Sequence, residues 1–164
     1  MELHIVLHEP EIPQNTGSIG RTCMAVGARL HLIRPLGFSL DSKYLKRAGL
    51  DYWADLDWEI HENWEAFQSA YPDAPLWYFT TKAKKSHVEG QFSQRVFLVF
   101  GKETAGLPDE MIAQDMDHCL RIPIHEKARS LNLSVAVGVA AYEALRQGDF
   151  SGLSSSDPEN RITL

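Results

Sequence analysis

Polar side chains that could do chemistry stand directly in front of a long apolar run near the end of this 164-residue chain. The run Val135–Leu145 is mostly Val, Ala and Leu, which predicts a helix, and Arg129-Ser-Leu-Asn-Leu-Ser134 precedes it. Ser130, Asn132 and Ser134 cannot all cap one helix. Spare polar groups therefore lie where a helix N-terminus offers free N–H groups and positive potential. The competing interpretation is a well-capped core helix.

A second polar segment follows the strand-like run 3–8 near the start of the chain. Here Asn15-Thr-Gly-Ser-Ile-Gly-Arg21 opens an element that Gly27 ends. We expect Asn15 or Thr16 to cap this helix, so that Arg21 projects from its early turns.

A third polar segment follows an apolar run at Val96–Phe100. The run leads into Gly101-Lys-Glu-Thr-Ala-Gly106, and Pro108 suits a helix start. The gap between the glycines is that of a phosphate loop, but Leu107 and Pro108 replace the required Lys-Ser/Thr, which argues against a nucleoside triphosphatase. A Rossmann dinucleotide site is disfavoured because no Gly-x-Gly-x-x-Gly follows the first strand.

The composition predicts one ordinary domain, since 44% of the residues are hydrophobic and 23% are charged. No apolar run approaches a membrane span, so we expect a cytoplasmic protein without membrane contact. Cys23 and Cys119 lie far apart and suggest reduced core thiols. The seven histidines and two cysteines show no ligand spacing, and we predict no metal.

The net charge of −6 argues mildly against nucleic-acid binding, although its distribution matters more than the total. Basic residues cluster at Lys43, Lys46 and Arg47 and again at 82–85. A solvated helix face explains the first cluster as well as RNA contact does.

Strand-like and helix-like runs alternate along the chain, which predicts an α/β fold with a mostly parallel sheet flanked by helices. The strand candidates are 3–8, 29–34, 58–61, 76–81, 95–100 and 119–124. The helix candidates are 16–26, 41–48, 63–70, 107–114 and 131–147. We expect one domain over residues 1–148 and a flexible Ser- and Gly-rich tail over 149–164.

In order and spacing, the three polar segments resemble the motifs of the SPOUT class of RNA methyltransferases. Pro10–Gly17 and Arg47–Tyr52 look like the branch that 2′-O-methylates the wobble nucleotide, position 34, of tRNA. The resemblance covers residues 1–148 and implies a C-terminal trefoil knot, which ordinary topology rules would not predict.

The resemblance also implies a site for S-adenosylmethionine, held in a bent shape by the loops after the last strands. The matching cofactor-binding positions are Phe79, Thr80, Gly101, Ile122, Ser130 and Leu131. We interpret Gly101 as leaving room for the ligand to approach the backbone. Core and turn positions are the competing interpretation for each residue taken singly.

The catalytic candidates that the resemblance implies are Arg21, Asn15 and Glu103. An arginine is a poor general base, so we expect Arg21 to stabilise the developing alkoxide while a phosphate, water or Glu103 takes the proton. Asn15 would orient Arg21 or the substrate. Glu103 would hold its loop or Arg21, unless it is a plain surface carboxylate. Arg129 and Asn132 are the substrate-binding candidates.

The expected partners are the anticodon arm of tRNA and a second copy of the chain. In the family's dimers the first and last helices pack across a two-fold axis, and Tyr142 would supply a polar handle there. Two alternatives stay open: 2′-O-methylation of another RNA, and a non-catalytic RNA-binding protein on the same fold.

Overall fold

The computed structural model describes residues 1–40 and 53–154, which form one sheet with helices on both faces. The strands are β1 Glu2–His8, β2 Arg29–Ile33, β3 Trp58–His61, β4 Leu76–Phe79, β5 Lys85–Ser86, β6 Arg95–Phe100 and β7 Cys119–Arg121. The α-helices are α1 Pro13–Val26, α2 Trp64–Ala70, α3 Asp109–Gln114 and α4 Leu133–Gln147, and short 3-10 turns cover His87–Glu89 and Met116–His118.

Every strand pair in the sheet is parallel, in the order β3-β2-β1-β6-β4-β7-β5. This confirms the predicted α/β class. Because the strands are parallel, the loops that follow the neighbouring strands β6, β4 and β7 all leave at the same edge of the sheet. The strand order therefore brings together the three loops that contain the predicted cofactor-binding positions. These positions are Phe79 and Thr80 at the end of β4, Gly101 after β6, and Ile122, Ser130 and Leu131 after β7.

The two faces of the sheet bury different elements, as the period-two alternation of a strand requires. On β1, Leu3, Ile5 and Leu7 pack in the core cluster that contains α1 and α4, whereas Val6 packs in the cluster that contains α2 and α3. Burial on both faces explains why β1 and β6 are nearly continuous apolar runs. Cys23 and Cys119 are free and buried in separate clusters, which confirms the interpretation as reduced core thiols.

Helix α1 begins earlier than the sequence indicated, at Pro13, and neither Asn15 nor Thr16 caps it. Ile12 stands at the N-cap without a side-chain bond, and the hydroxyl of buried Thr16 has no hydrogen-bond partner among the described residues. The early start puts Arg21 in the third turn of α1. The predicted end is right, since Gly27 adopts a left-handed conformation with φ 68°.

The remaining elements follow the sequence pattern with small shifts. Helix α3 starts after Pro108, two residues later than expected, and the two-residue strand β5 was missed. The predicted helix 41–48, the basic cluster at Lys43 to Arg47 and residues 155–164 of the expected tail lie outside the described residues. Residues 149–154 form a turn whose Leu153 packs against the core. No helix among the described residues is long and apolar enough to cross a membrane.

Candidate active site

A cleft of about 630 Å³ opens at the carboxyl edge of β4, β6 and β7. Its walls come from the loops after these three strands and from the first residues of α1 and α4. Leu107, Ile122, Ile124 and Leu131 give it apolar surface beside the backbone of the loops. Apolar walls with a few polar groups are typical of a small-molecule site.

Ten of the eleven site residues predicted from the sequence line this cleft: Asn15, Phe79, Thr80, Gly101, Glu103, Ile122, Arg129, Ser130, Leu131 and Asn132. Arg21 is the exception, because its side chain is exposed on the outer surface of α1. Their roles stay predictions. Ten of the predicted residues thus lie together in the cleft of one chain, whereas the catalytic candidate Arg21 lies outside that cleft.

The carboxylate of Glu103 joins the β6 loop to the start of α1. Its Oε2 accepts a hydrogen bond from the backbone N–H of Glu11 at 2.8 Å, and its Oε1 accepts from Ile12 N at 3.1 Å and Asn15 Nδ2 at 3.0 Å. Glu103 therefore anchors the segment that leads into α1 to the loop after β6. The interpretation that Glu103 holds its loop in place has direct geometric support.

Two further contacts join the same segments with the roles reversed, because here the loop after β6 supplies the donors and the segment before α1 supplies the acceptors. Glu11 Oε2 accepts hydrogen bonds from Thr104 N at 3.0 Å and Thr104 Oγ1 at 2.8 Å, and these bonds lower the pKa of Glu11. Lys102 Nζ lies 2.7 Å from Glu9 Oε2, and the bond to this carboxylate raises the pKa of Lys102. We call the contacts of Glu9, Glu11 and Glu103 across the two segments the carboxylate latch. Sequence reasoning missed Glu9, Glu11 and Thr104, because isolated polar residues in turns carry no periodic signal.

A chain of amides extends from the latch to α4. Asn132 Nδ2 donates to Asn15 Oδ1 at 3.0 Å, and Asn132 Oδ1 accepts from Ser134 N at 2.9 Å and Ser134 Oγ at 2.6 Å. Asn132 is therefore the N-cap of α4, and Ser130 is left to line the cleft. These hydrogen bonds thus fix the positions of α1, α4 and the loop after β6 relative to one another around the cleft.

Gly101 is required for a different reason from the one expected. A Cβ atom at this position would lie 2.0 Å from the backbone carbon of Gly106 and 2.1 Å from the backbone nitrogen of Leu107. The loop itself, rather than a ligand, occupies that space. The loop turns back through a bond from Gly106 N to Lys102 O at 2.8 Å, with Gly106 at φ 70°. A side chain at 101 would therefore distort the cleft wall.

The outer surface of α1 and α4 carries a second apolar face. Buried Val137, Ala140, Ala141 and Ala144 face the sheet, but large side chains on the other side of α4 are exposed. The exposed set on the two helices and beside the cleft is Ile12, Met24, Leu131, Val135, Val139 and Tyr142. A Cβ at Gly138 would meet nothing within 4 Å, so this face of α4 has no neighbour within the described chain. Arg21 lies one turn before Met24 on the corresponding side of α1.

Comparison with known proteins places this architecture in a family. Residues 2–142 match the SpoU rRNA Methylase family. The tRNA (cytidine(34)-2′-O)-methyltransferase of Methylovorus glucosotrophus is 49% identical over 149 residues, which cover 90% of this chain and 97% of that protein. A solved structure described as giving structural insights into the 2-OH methylation of C/U34 on tRNA has a TM-score of 0.86 and 49% identity, and the match covers 91% of this chain and 97% of that chain.

A more distant solved structure contains the cofactor. The SpoU methyltransferase AviRb from Streptomyces viridochromogenes, in complex with AdoMet, has a TM-score of 0.75 and 28% identity, over 92% of this chain and 59% of that chain. The match to the family covers most of the sequence, and the loops that wall the cleft fall within it. The chain therefore belongs to the SpoU rRNA methylase family, whose members are enzymes that bind S-adenosylmethionine.

Proposed function

We propose that this protein transfers a methyl group from S-adenosylmethionine to the ribose 2′-hydroxyl of nucleotide 34 of tRNA, a cytidine or a modified uridine. The observation that carries the proposal is that residues of three separate sequence motifs line one cleft. The named activity of the relative from Methylovorus glucosotrophus, which aligns over nearly its whole length, supports the choice of tRNA position.

The cleft suits S-adenosylmethionine in size and chemistry. Leu107, Ile122, Ile124 and Leu131 offer walls for an adenine ring, and the backbone groups of the loops after β4, β6 and β7 offer hydrogen bonds that need no charged side chain. When bound, the sulfonium supplies a methyl group on a good leaving group. The transfer itself needs no metal ion.

Arg21 is the residue that we assign to the reacting hydroxyl. A guanidinium stays charged at every physiological pH, so Arg21 would stabilise negative charge on the 2′-oxygen while the proton leaves to a phosphate or water. Glu103 and Asn15 act differently in this proposal. They position the wall of the cleft, because their polar atoms are engaged with α1, α4 and each other.

A homodimer would bring Arg21 to the chemistry. Arg21 lies outside the cleft of its own chain, exposed on α1, and α1 packs against α4, which carries the exposed apolar face. Burial of Val135, Val139 and Tyr142 against a second copy would remove this apolar face from water. We propose that Arg21 of one chain faces the cleft of the other, so that each active site contains parts of both subunits.

The anticodon arm would contact basic side chains around the mouth of the cleft. Lys127 and Arg129 are exposed on the loop after β7, and Arg129 lines the cleft. Lys82 also lines the cleft but is already paired with Asp109. Two copies of this acidic chain would present a larger positively charged surface to phosphate than one copy can.

The direct test is to incubate the protein with total tRNA and labelled S-adenosylmethionine and to map the modified nucleotide by mass spectrometry. Methyl label on the ribose of nucleotide 34 is the expected result. Label in ribosomal RNA supplied in a parallel reaction, with none in tRNA, would support the alternative of another RNA target. Tight tRNA binding without any methyl transfer would support a non-catalytic RNA-binding protein.

A complementation experiment tests the composite site. Arg21→Ala should lower methyl transfer by about 100-fold or more while cofactor affinity changes little, the scale of losing a transition-state donor. Thr80→Trp should block the cleft of its own chain with a bulky ring. Mixed dimers of the two variants contain one site free of both defects, so activity should return. Inactive mixed dimers, verified by mass, would place Arg21 in the cleft of its own chain.

A further inference from the structure

Three histidines form a buried row across β1, β2 and β3, on the face of the sheet that packs against α2. Their rings contact Phe67, Tyr71 and Phe97 rather than the cleft. His4 Nδ1 lies 2.8 Å from His31 Nε2, and His31 Nδ1 lies 3.1 Å from His61 Nε2. The proposed function gives these side chains no task.

A carboxylate completes a triangle at one end of this row. Glu59 Oε2 lies 3.8 Å from His31 Nδ1 and 3.9 Å from His61 Nε2. Given the three separations, the point equidistant from the two nitrogens and the oxygen lies about 2.1 Å from each, which is the bond length that zinc makes to imidazole nitrogen and carboxylate oxygen. Hydrogen bonding among the three histidines alone would not require Glu59 to lie at these distances from His31 and His61.

We propose that His31, Glu59 and His61 bind one zinc ion, with water as a fourth ligand. Two imidazoles and one carboxylate are a donor set that zinc takes in proteins, with an open position left for solvent. Glu59 is 43% exposed, which gives the ion access from solvent, whereas His31 and His61 are almost fully buried. The inference is independent of the methyltransferase activity.

The hydrogen bonds around the triangle prepare His31 as a ligand. Glu2 Oε1 accepts from His4 Nε2 at 2.9 Å, so the other nitrogen of a neutral His4 ring must accept from His31 Nε2. That arrangement leaves a lone pair on His31 Nδ1, the atom that faces Glu59. A histidine ligand whose second nitrogen is held by such a partner is the usual arrangement around protein-bound metals.

Glu59 is also held in place on its other side. Tyr71 Oη donates to Glu59 Oε2 at 2.6 Å, and the guanidinium of Arg29, which contacts Tyr71 at 3.4 Å, is itself paired with Asp57 at 2.9 Å. In the metal-free row the lone pair of His31 Nδ1 accepts from His61 Nε2–H. When the metal binds, the proton of His61 moves to Nδ1, and its bond to His31 is exchanged for a bond from Nε2 to zinc. The ion would then join β2 to the edge strand β3, and it revises our expectation from the sequence that the chain binds no metal.

The test titrates chelator-treated protein without a polyhistidine tag with Co²⁺, whose visible absorption reports its ligand geometry, and then displaces it with Zn²⁺. Wild type should take up one equivalent, with the melting temperature raised by about 5 °C or more at a hundredfold excess of zinc over its dissociation constant. Glu59→Gln should weaken binding at least tenfold, and His4→Gln should weaken it about 10- to 100-fold through its support of His31.

The matched control is His118→Asn, which removes an exposed histidine paired with Asp115 and should leave binding unchanged. Glu59 is partly exposed, so its variant should fold, and circular dichroism of the metal-free protein checks this. Methylation by Glu59→Gln should equal that of wild type. Absence of stoichiometric binding, or equal affinity in wild type and Glu59→Gln, would overturn the proposal.

Discussion

Replacing Glu103 by glutamine tests whether the carboxylate latch, rather than proton transfer, is the role of this residue. The carboxylate accepts three hydrogen bonds, from Glu11 N, Ile12 N and Asn15 Nδ2. Glutamine has one oxygen to accept them and turns an NH₂ group toward the remaining donor. Loss of one charge-assisted bond and of the charge should cost about 2 kcal/mol at this half-exposed position.

The assay is calorimetric titration with S-adenosylmethionine together with single-turnover methylation at saturating cofactor. If the latch orders the cleft wall, the unlatched loop must be ordered on binding, and about 2 kcal/mol corresponds to about 30-fold weaker cofactor affinity. The single-turnover rate at saturation should fall much less. Glu11→Gln, which weakens the contacts to Thr104 from the other side, is the matched variant and should act in the same direction.

The two effects should also be coupled, since both carboxylates join the same two segments. The double variant should lose less affinity than the sum of the single losses predicts. The Glu103→Gln variant would refute the positioning role if it bound cofactor within twofold of wild type but had lost single-turnover activity. That result would assign Glu103 to the chemistry.

Three more outcomes follow from the geometry. Gly101→Ala should abolish cofactor binding measured by calorimetry because its methyl group meets the backbone of Gly106 and Leu107; wild-type affinity would show that the loop moves without cost. Val139→Glu should give a monomer by light scattering, since the charge enters the exposed face of α4, and an unchanged mass would place the interface elsewhere. Burial raises the pKa of Cys23 to about 12, so a thiol reagent at pH 8 should modify it only after unfolding in guanidinium; rapid labelling of the native protein would contradict the burial.

The residues of the cleft were predicted from the resemblance to SPOUT methyltransferases, and the fold explains why they meet, since parallel strands place their following loops at one edge of the sheet. Continuous apolar runs marked β4 and β6, and the polar or glycine residues directly after them, Thr80 and Gly101, fall at the carboxyl edge as expected. The sequence left Ser130, Asn132 and Ser134 as N-cap candidates for α4, and the structure selects Asn132. Local sequence patterns were sufficient to predict the structure wherever the geometry depends only on one element and the next element along the chain.

Contacts between distant turns were not predictable in the same way. The bonds from Thr104 to Glu11 join residues 93 positions apart, and no periodicity connects two polar residues in separate loops. The histidine row was missed because it depends on strand order and register. His4, His31 and His61 are spaced by 27 and 30 residues, a separation that has meaning only once β1, β2 and β3 are known to be adjacent.

The hydrogen bond between Asn15 and Asn132 spans 117 residues, and the bond from Glu11 to Glu103 spans 92. The residues that hold the cleft together therefore come from widely separated parts of the sequence. Contacts of such long sequence separation form late, because the loss of chain entropy precedes the gain from contact. During synthesis, the N-terminal strands and α1 would leave the ribosome long before the residues that complete the cleft. Cofactor affinity thus appears only in a chain whose final long helix has docked, and ligand binding can serve as a measure of complete folding.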